Sequence, residues 1–220
     1  MARIDFVSDL HRRTGRDYRE RVVRGDKAEC AEVAKRFGPE YWDGDRRYGY
    51  GGYRYDGRWA PVARRIADHY GLGSGSRVLD VGCGKAHLVH ELTLAVPGLD
   101  AWGIDVSDHA LADAPEPIRP RLVRGSATSL PFPDASFDLV LSLNVLHNLY
   151  VDDLFAALAE IGRVGRRDAY VVVESWRNER EKANLLDWQL TCECFFTPRE
   201  WEWVFARAGY RGDHSFVFFE

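Results

Sequence analysis

The chain has 220 residues, of which 45% are hydrophobic and 29% are charged. This length and composition predict one compact domain with a full core and a small additional segment. Asp and Glu together number 34 against 30 for Lys and Arg, which gives a formal net charge of -4. Because this balance lacks the broad basic field that binds a phosphate backbone, it argues against nucleic acid as a partner.

The cysteines and the apolar runs exclude further classes of protein. Cys192 and Cys194 are too closely spaced for a zinc-ligand pair and have no second pair, so we expect no metal site. The N-terminal residues are charged without an apolar signal core, and no apolar run approaches the length of a membrane span. These features predict a soluble protein in a reducing, cytoplasmic setting that does not interact with a membrane. We expect a monomer or a homodimer.

The N-terminal third has stretches of different character. Residues from about Thr14 to Phe37 are charged and predicted to be helical, whereas Tyr41 to Trp59 is rich in Tyr, Trp, Gly and Asp and fits neither a helix nor a buried strand. An apolar stripe predicts a helix over 59–70, with Pro61 in its first turn. We place a boundary after residue 73, between an N-terminal segment (1–73) and a second domain (74–220).

From residue 77 onward, predicted strands and helices alternate. Strands are predicted at 77–81, 101–105, 121–124, 137–143, 169–174 and 214–220. Helices are predicted over 87–95, after Ser107, from Asp152, and after a capping box that begins at Thr197. This order predicts an α/β, Rossmann-like, doubly wound and mostly parallel sheet of six or seven strands, with helices on both faces.

The first of these strands runs into a glycine turn that leads to a helix. Gly82 and Gly84 allow a sharp turn and the close approach of a ligand, but His87 stands where a dinucleotide fingerprint requires a third glycine. Asp80 precedes the turn, and a carboxylate there would repel a pyrophosphate and attract a ligand that carries an ammonium and a sulfonium. The turn therefore favours a cationic nucleoside; a purely structural strand-turn-helix is the alternative.

The second strand ends in Asp105, 21 residues beyond Gly84. This separation is close to the roughly 20 residues at which an acid binds the hydroxyls of a ribose in nucleotide-binding folds. The alternative is an acid that faces solvent at the start of a turn.

Three ordered segments resemble the successive motifs of class I S-adenosylmethionine-dependent methyltransferases. They are VLDVGCGKAHL at 78–88, WGIDVS at 102–107 and RGSATSLPFPDASFDLVLSLNVLHNL at 124–149. The resemblance implies S-adenosyl-L-methionine as the cofactor. Its methionine part would be held by Asp80, Gly82, Cys83 and Gly84, and its ribose by Asp105 and Val106. Ser126 and Ala127 would lie at the adenine edge, and Asn144 would lie beneath the sulfonium. The chain departs from the family in having Ala86 where a third glycine is frequent and Ser126 where an acid is frequent.

Candidate catalytic residues follow the fourth and fifth strands, at the edge of the sheet where ligands bind. Methyl transfer mainly requires alignment and exclusion of water, and a base is needed only when the acceptor must lose a proton. His147 is the candidate base, although a loop-capping role is equally compatible with its position. Glu174 is a candidate base or anchor for a cationic acceptor, and a salt bridge to an arginine is the alternative. Trp176 is predicted to bind substrate.

The aromatic stretch from Tyr41 to Trp59 is predicted to form a lid over acceptor and cofactor, as N-terminal segments often do in this class. Tyr48, Tyr50, Tyr53 and Trp59 would offer aromatic faces to a sulfonium or an ammonium. An ordered structural loop or a dimer contact is the alternative.

The leading functional hypothesis is O- or N-methylation of a small polar acceptor, such as a sugar, an amino acid derivative or a natural-product intermediate. A protein methyltransferase is one alternative, whereas the acidic balance and the absence of an Asn-Pro-Pro-Tyr-type motif argue against nucleic acid. A non-catalytic partner protein that binds S-adenosylmethionine is the other alternative.

Overall fold

A parallel β-sheet forms the centre of the protein, whose computed structural model describes residues 1–12, 15 and 17–220. The strands found in these residues are β1 (Arg77–Val81), β2 (Asp100–Asp105), β3 (Leu122–Arg124), β4 (Phe137–Leu143), β5 (Gly165–Glu174) and β6 (Asp213–Val217). They lie in the order β3-β2-β1-β4-β5-β6, and every pairing is parallel. The predicted Rossmann-like α/β fold is confirmed.

Helices cover the sheet and the N-terminal segment. The longer ones are α5 (Ala60–Tyr70), α6 (His87–Ala95), α8 (Val151–Val164), α9 (Glu179–Trp188) and α10 (Pro198–Arg207). The shorter ones are α1 (Ser8–Arg12), α2 (Glu20–Val23), α3 (Lys27–Ala34), α4 (Pro39–Asp43) and α7 (Asp108–Ala112). Short 3-10 turns occupy Arg46–Tyr48, Glu116–Arg121 and Leu146–Asn148.

The core lies on both faces of the sheet because side chains alternate along each strand. Val78 of β1 belongs to a cluster that also contains residues of α5 and α6, whereas the next residue, Leu79, packs with residues of α8 and α10. The N-terminal residues Phe6 and Val7 are buried in the first cluster. Both faces of the central strands are therefore covered, which explains their continuous apolar sequence.

The predicted capping box is confirmed, and the predicted helical region near the N-terminus is divided in two. Thr197 and Glu200 form the reciprocal hydrogen bonds of the predicted capping box at the start of α10. The region predicted to be helical from about Thr14 to Phe37 contains two separate helices, α2 and α3, between which Gly25 adopts a φ of +77°. A left-handed glycine ends a helix, and this signal outweighs the charged, helix-favouring composition. Thr14 itself lies outside the described residues.

The chain order of the strands creates the crevice in which ligands bind in such sheets. β1 and β4 are neighbours, and the chain leaves β1 toward β2 but leaves β4 toward β5. The connections therefore diverge at the carboxyl ends of β1 and β4, which is the topological switch point. Among the described residues, no helix is long and apolar enough to cross a membrane.

The glycine turn after β1 depends on Gly82. Its φ is +78°, and a Cβ at this position would lie 2.3 Å from Cγ2 of Val145. We expect Gly82→Ala to lower the free energy of unfolding by about 1–3 kcal/mol, because both the left-handed backbone and the crowding are unfavourable. Urea denaturation measures the change.

Gly162→Ala is the matched control for this substitution. Gly162 is exposed within α8 and has no heavy atom within 4 Å of the position that its Cβ would take. We expect this variant to gain up to about 1 kcal/mol, since alanine favours a helix over glycine. Equal changes in the two variants would contradict the argument for Gly82.

Candidate active site

Two adjoining cavities open at the carboxyl ends of β1, β2, β4 and β5. The first, which we name the glycine-turn cavity, has a volume of about 210 Å³. All the residues predicted to hold the cofactor line it: Asp80, Gly82, Cys83, Gly84, Asp105, Val106, Ser126, Ala127 and Asn144. The second, which we name the polar cavity, has a volume of about 410 Å³ and is lined in part by His147, Glu174, Arg21 and Arg46.

Asp105 organises the floor of the glycine-turn cavity. Its Oδ2 accepts a hydrogen bond of 2.7 Å from the backbone N–H of Gly84, and its Oδ1 accepts one of 2.8 Å from the backbone N–H of Ser107. Burial raises the pKa of Asp105, although these backbone donors act in the opposite direction. A carboxylate has about four acceptor sites, so Asp105 keeps capacity to accept from a ligand hydroxyl. One side chain therefore shapes the glycine turn and presents acceptors to the cavity.

Asp80 adds a second buried carboxyl group to the same cavity. The residue is 4% exposed. Burial and the nearby charge of Asp105 raise the pKa of Asp80 to about 7. A cation placed in the cavity would favour the ionised form of both groups, so the electrostatics suit a positively charged ligand and disfavour a pyrophosphate.

Asn144 carries an unsatisfied polar atom into this site. Its Oδ1 is buried and has no hydrogen-bond partner among the described residues. Its φ of +60° is left-handed, a conformation that asparagine tolerates better than most residues. A buried acceptor without a partner costs about 1–3 kcal/mol, which a ligand donor would recover. The orphaned oxygen and the paired acids thus fit the cationic nucleoside that the sequence predicts.

An aromatic row covers the glycine turn. Trp42 packs so closely that a Cβ on Gly84 would lie 2.6 Å from its ring, and its Nε1 donates to Ser107 Oγ at 2.9 Å. Tyr50 stacks on Trp42 with ring centroids 5.3 Å apart and an interplanar angle of 6°. The composition of this segment indicated aromatic cover, but no signal in the sequence distinguished Trp42 as the ring that contacts the turn.

The row continues along the wall that the cavities share. Tyr53 lies 4.6 Å from Tyr50 and 4.8 Å from His87, measured between ring centroids. Trp59 Nε1 donates a hydrogen bond of 2.7 Å to the hydroxyl of Tyr53. Tyr50, Tyr53 and Trp59 line both cavities. His87, to which the sequence assigned no role, lines the glycine-turn cavity, and burial lowers its pKa to about 4.

A buried lysine forms salt bridges that connect the aromatic stretch from Tyr41 to Trp59 to the glycine turn. The side chain of Lys85 is 1% exposed, and its Nζ lies 2.7 Å from Asp43 Oδ1 and 2.7 Å from Asp113 Oδ2. His109 Nε2 lies 2.6 Å from Asp43 Oδ2. Because Lys85 directly follows Gly84 and Asp43 ends α4, these contacts hold the segment over the cavity. Sequence reasoning missed them because the partners are far apart along the chain.

His147 and Glu174 are in contact at the polar cavity. The backbone N–H of Glu174 donates to His147 Nδ1 at 3.3 Å, and His147 Nε2 lies 3.5 Å from Glu174 Oε2. Burial lowers the pKa of His147 to about 3, so its ring is neutral at pH 7. Since Nδ1 accepts a hydrogen bond, the single ring proton is on Nε2 and points at Glu174. Gln189 Nε2 also donates to Glu174 Oε2.

Two residues predicted to bind substrate lie away from both cavities. Tyr48 packs against the small cluster of Cys30, Ala34 and Leu190, and Arg47 lies over its ring at 4.7 Å. Trp176 donates from Nε1 to Phe195 O at 3.3 Å, and Lys182 lies 4.5 Å from its ring centroid. Neither side chain lines the glycine-turn or the polar cavity.

The parallel sheet order, the acid before the glycine turn and the acid at the end of β2 agree with the arrangement that the resemblance to class I methyltransferases implies. Residues 79–173 match the family described as a methyltransferase domain. The central part of this chain is thus a methyltransferase domain of the class I, S-adenosylmethionine-dependent type, and the match covers less than half of the chain.

Curated relatives carry the name demethylmenaquinone methyltransferase. The protein of Anoxybacillus flavithermus is 38% identical over 105 residues, which are 44% of this chain and 44% of that protein. The protein of Staphylococcus aureus strain JH9 is 36% identical over 114 residues, which are 50% of this chain and 46% of that protein. The match thus spans less than half the length of these relatives.

Solved structures share the fold at low identity. The YcgJ protein from Bacillus subtilis has a TM-score of 0.55 and 22% identity, with 70% of this chain and 68% of that chain covered. A geranyl diphosphate methyltransferase in complex with S-adenosylmethionine has a TM-score of 0.56 and 18% identity, with 68% of this chain and 64% of that chain covered. At these identities the likeness concerns the fold alone.

The raised pKa of Asp80 predicts a measurable dependence of stability on pH. The value rises from 3.8 to about 7 on folding, so the protonated form stabilises the folded state, and this contribution is lost as pH increases from about 4 to about 7. We expect Asp80→Asn to be more stable than wild type above pH 7, by on the order of a few kcal/mol, with a smaller difference at pH 4. Urea denaturation across this range measures both.

Asp153→Asn is the control, because Asp153 is exposed on α8. Its difference from wild type is expected to stay constant within about 0.5 kcal/mol over the same range. An Asp80→Asn variant whose difference from wild type is equally constant would contradict the burial of a shifted carboxyl group.

Proposed function

We propose that this chain is an enzyme that transfers a methyl group from S-adenosylmethionine to a small polar acceptor, as an O- or N-methylation. The observation that carries the proposal is the pairing of two buried carboxyl groups, Asp80 and Asp105, in one cavity beneath the glycine turn. Acidic groups with raised pKa values are unfavourable in an empty core and favourable beside a cationic nucleoside.

The residues of the glycine-turn cavity have chemistry that fits the parts of this cofactor. In the proposal Asp80 binds the ammonium, Asp105 accepts from the ribose hydroxyls, Ser126 and Ala127 lie at the adenine edge, and Asn144 lies near the sulfonium. S-adenosylmethionine supplies, when bound, a methyl group already activated for displacement. The protein must then align the acceptor and exclude water, and the aromatic row over the turn serves the second purpose.

The polar cavity adjoins the glycine-turn cavity and is the proposed acceptor site. Tyr50, Tyr53 and Asn144 line both cavities, so an acceptor in the polar cavity would meet the methyl group at this shared wall. Glu174 is the proposed proton acceptor for a hydroxyl or amine. His147 is a positioning residue, because its Nδ1 already accepts a backbone N–H and its Nε2 proton points at Glu174.

The lining of the polar cavity favours a polar acceptor. Glu174, Arg46 and Asn148 contribute charged or amide groups to it. The curated relatives are named for demethylmenaquinone, but their match covers less than half of their length and does not carry the acceptor to this chain. A protein acceptor and a non-catalytic partner protein remain the competing functions, and transfer of labelled methyl groups separates them.

In the proposal, the two parts of the chain have different functions. Residues 1–73 would form the acceptor lid and residues 74–220 the cofactor-binding domain, with Tyr50, Tyr53 and Trp59 as the aromatic faces of the lid. The cellular setting and the assembly are a further part of the proposal. The thiols of Cys30, Cys83, Cys192 and Cys194 are free, which supports a reducing, cytoplasmic setting. A monomer or homodimer is the proposed assembly.

Cofactor binding and methyl transfer depend on different residues in this proposal. Isothermal titration with S-adenosylmethionine is expected to show binding that Asp105→Ala weakens at least tenfold, since hydrogen bonds to a charged group contribute about 1.5–3 kcal/mol. Glu174→Gln is expected to bind the cofactor as wild type does. It is expected to lose at least tenfold in transfer of labelled methyl groups to a metabolite extract.

Asp108→Ala is the matched control for cofactor binding, because Asp108 is exposed and its partner is Arg124 on the surface. It should bind as tightly as wild type. If Asp105→Ala binds equally well, the cofactor site is misassigned. Tight cofactor binding without transfer to any small molecule or protein would support the non-catalytic function.

The aromatic lid is expected to matter more for turnover than for stability. Tyr50 is 41% exposed, so its truncation removes cover from the cavities with little loss of core packing. We expect Tyr50→Ala and Tyr53→Ala to lower the rate of methyl transfer tenfold or more while the melting temperature falls by only a few degrees. Tyr150→Ala, at an exposed position that lines neither cavity, should change neither. Parallel losses of rate and melting temperature would indicate a structural loop.

A further inference from the structure

One wall of the polar cavity is formed by two guanidinium groups and an indole ring. Arg21 and Arg46 both lie over Trp188, with their Cζ atoms 4.4 and 5.0 Å from the ring centroid. All three residues line the cavity. Arg21 comes from α2, Arg46 from the aromatic segment and Trp188 from the end of α9, so the wall forms only when three distant parts of the chain meet.

Backbone carbonyls hold both guanidinium groups in place. Arg21 donates from Nη1 to Trp188 O at 2.6 Å, and from Nη2 to Arg46 O at 3.2 Å and to Gly49 O at 3.0 Å. Arg46 donates from Nη1 to Gly49 O at 2.9 Å and to Tyr50 O at 2.9 Å. Carbonyls fix the orientation of a guanidinium, but they do not neutralise its charge.

No carboxylate within the described residues forms an ion pair with either group. Arg58, which lines the same cavity, contrasts with them because it forms a bidentate pair with Asp56. Burial and the charge of Arg46 lower the pKa of Arg21 to about 10, so the group remains a cation at neutral pH. Two neighbouring cations are thus held in fixed orientations, Arg21 is buried, and neither forms an ion pair with a carboxylate of the described residues.

Both guanidinium groups keep N–H donors that these carbonyl contacts do not use. A guanidinium has five N–H donors. The carbonyl contacts use three donors of Arg21 and two of Arg46. Carboxylates and phosphates accept such donors in pairs, and these charge-assisted bonds are about twice as strong as neutral ones. An anion here would also relieve the repulsion between the two cations.

We propose that Arg21 and Arg46 bind an oxyanion of the acceptor, a carboxylate or a phosphate group, and that the acceptor is therefore a small organic acid. This inference rests on the proposed function, because it takes the polar cavity as the acceptor site. With its anionic group held at this wall, the acceptor extends its hydroxyl or amine toward Asn144 and Glu174. A fixed anchor restricts the acceptor to one orientation, which is the main requirement for in-line displacement.

The anion site is tested without the acceptor by following the indole N–H signal of Trp188 by NMR. The signal is assigned with Trp188→Phe, and the probes are inorganic phosphate, acetate and neutral methyl acetate at constant ionic strength. We expect saturable shifts with phosphate or acetate and none with methyl acetate. The tighter of the two anions indicates whether the acceptor carries a phosphate or a carboxylate.

Charge-removing variants measure the contribution of each arginine. Arg46→Gln is expected to weaken anion binding about tenfold or more, and Arg21→Lys to weaken it to a smaller extent, since lysine retains the charge but not the planar fork. Arg64→Gln, on the exposed side of α5 and away from both cavities, should bind as wild type. Absence of a saturable shift in wild type, or equal binding by Arg46→Gln, overturns the proposed site.

A transfer assay separates this inference from the proposed function. A metabolite extract is divided by anion exchange, and each fraction is incubated with the protein and methyl-labelled S-adenosylmethionine. Label in products of the retained fraction is expected, and its loss after phosphatase treatment identifies a phosphate monoester. Label confined to the unretained fraction overturns the organic acid and leaves the methyltransferase proposal intact. Failure to bind S-adenosylmethionine in calorimetry overturns the proposed function itself.

Discussion

The structure of the site depends on two carboxyl groups that are buried at the ends of adjacent parallel strands. Asp80 pairs in register with Gly103, so Asp105 follows two residues beyond on the neighbouring strand. Burial raises the pKa of both carboxyl groups, and the nearby charge of Asp105 adds to the rise at Asp80. Burial of two neighbouring carboxyl groups opposes folding. Hydrogen bonds from the backbone N–H groups of Gly84 and Ser107 to Asp105 offset part of this cost. The glycine turn takes its shape from those same bonds.

Salt bridges around Lys85 hold the aromatic stretch from Tyr41 to Trp59 over this turn. Lys85 is buried between Asp43 and Asp113, and Asp43 also contacts His109. These pairs join α4 to the residue that directly follows the glycine turn. Movement of α4 away from the turn would separate the buried Lys85 ammonium from Asp43, which is costly in a low dielectric.

At the polar cavity, hydrogen bonds distinguish His147 from Glu174 as candidate proton acceptors. His147 and Glu174 were both candidate bases when judged from the sequence, since either residue type can accept a proton. The hydrogen bond from the Glu174 backbone to His147 Nδ1, together with the low pKa of the imidazole, separates them. In the proposed function, therefore, the imidazole positions the carboxylate and the carboxylate accepts the proton.

The sequence by itself determined the parallel sheet and the residues that line the glycine-turn cavity, because apolar runs, glycine turns and strand-terminal acids act through neighbours in the chain. Asp80, Gly84 and Asp105 belong to this class. The tertiary structure alone decided which aromatic rings cover the turn, why Tyr48 packs inward while Tyr50 lines the cavities, and how Arg21 meets Arg46 over Trp188. Those contacts join residues far apart along the chain, and local periodicity contains no information about which distant partners the fold brings together.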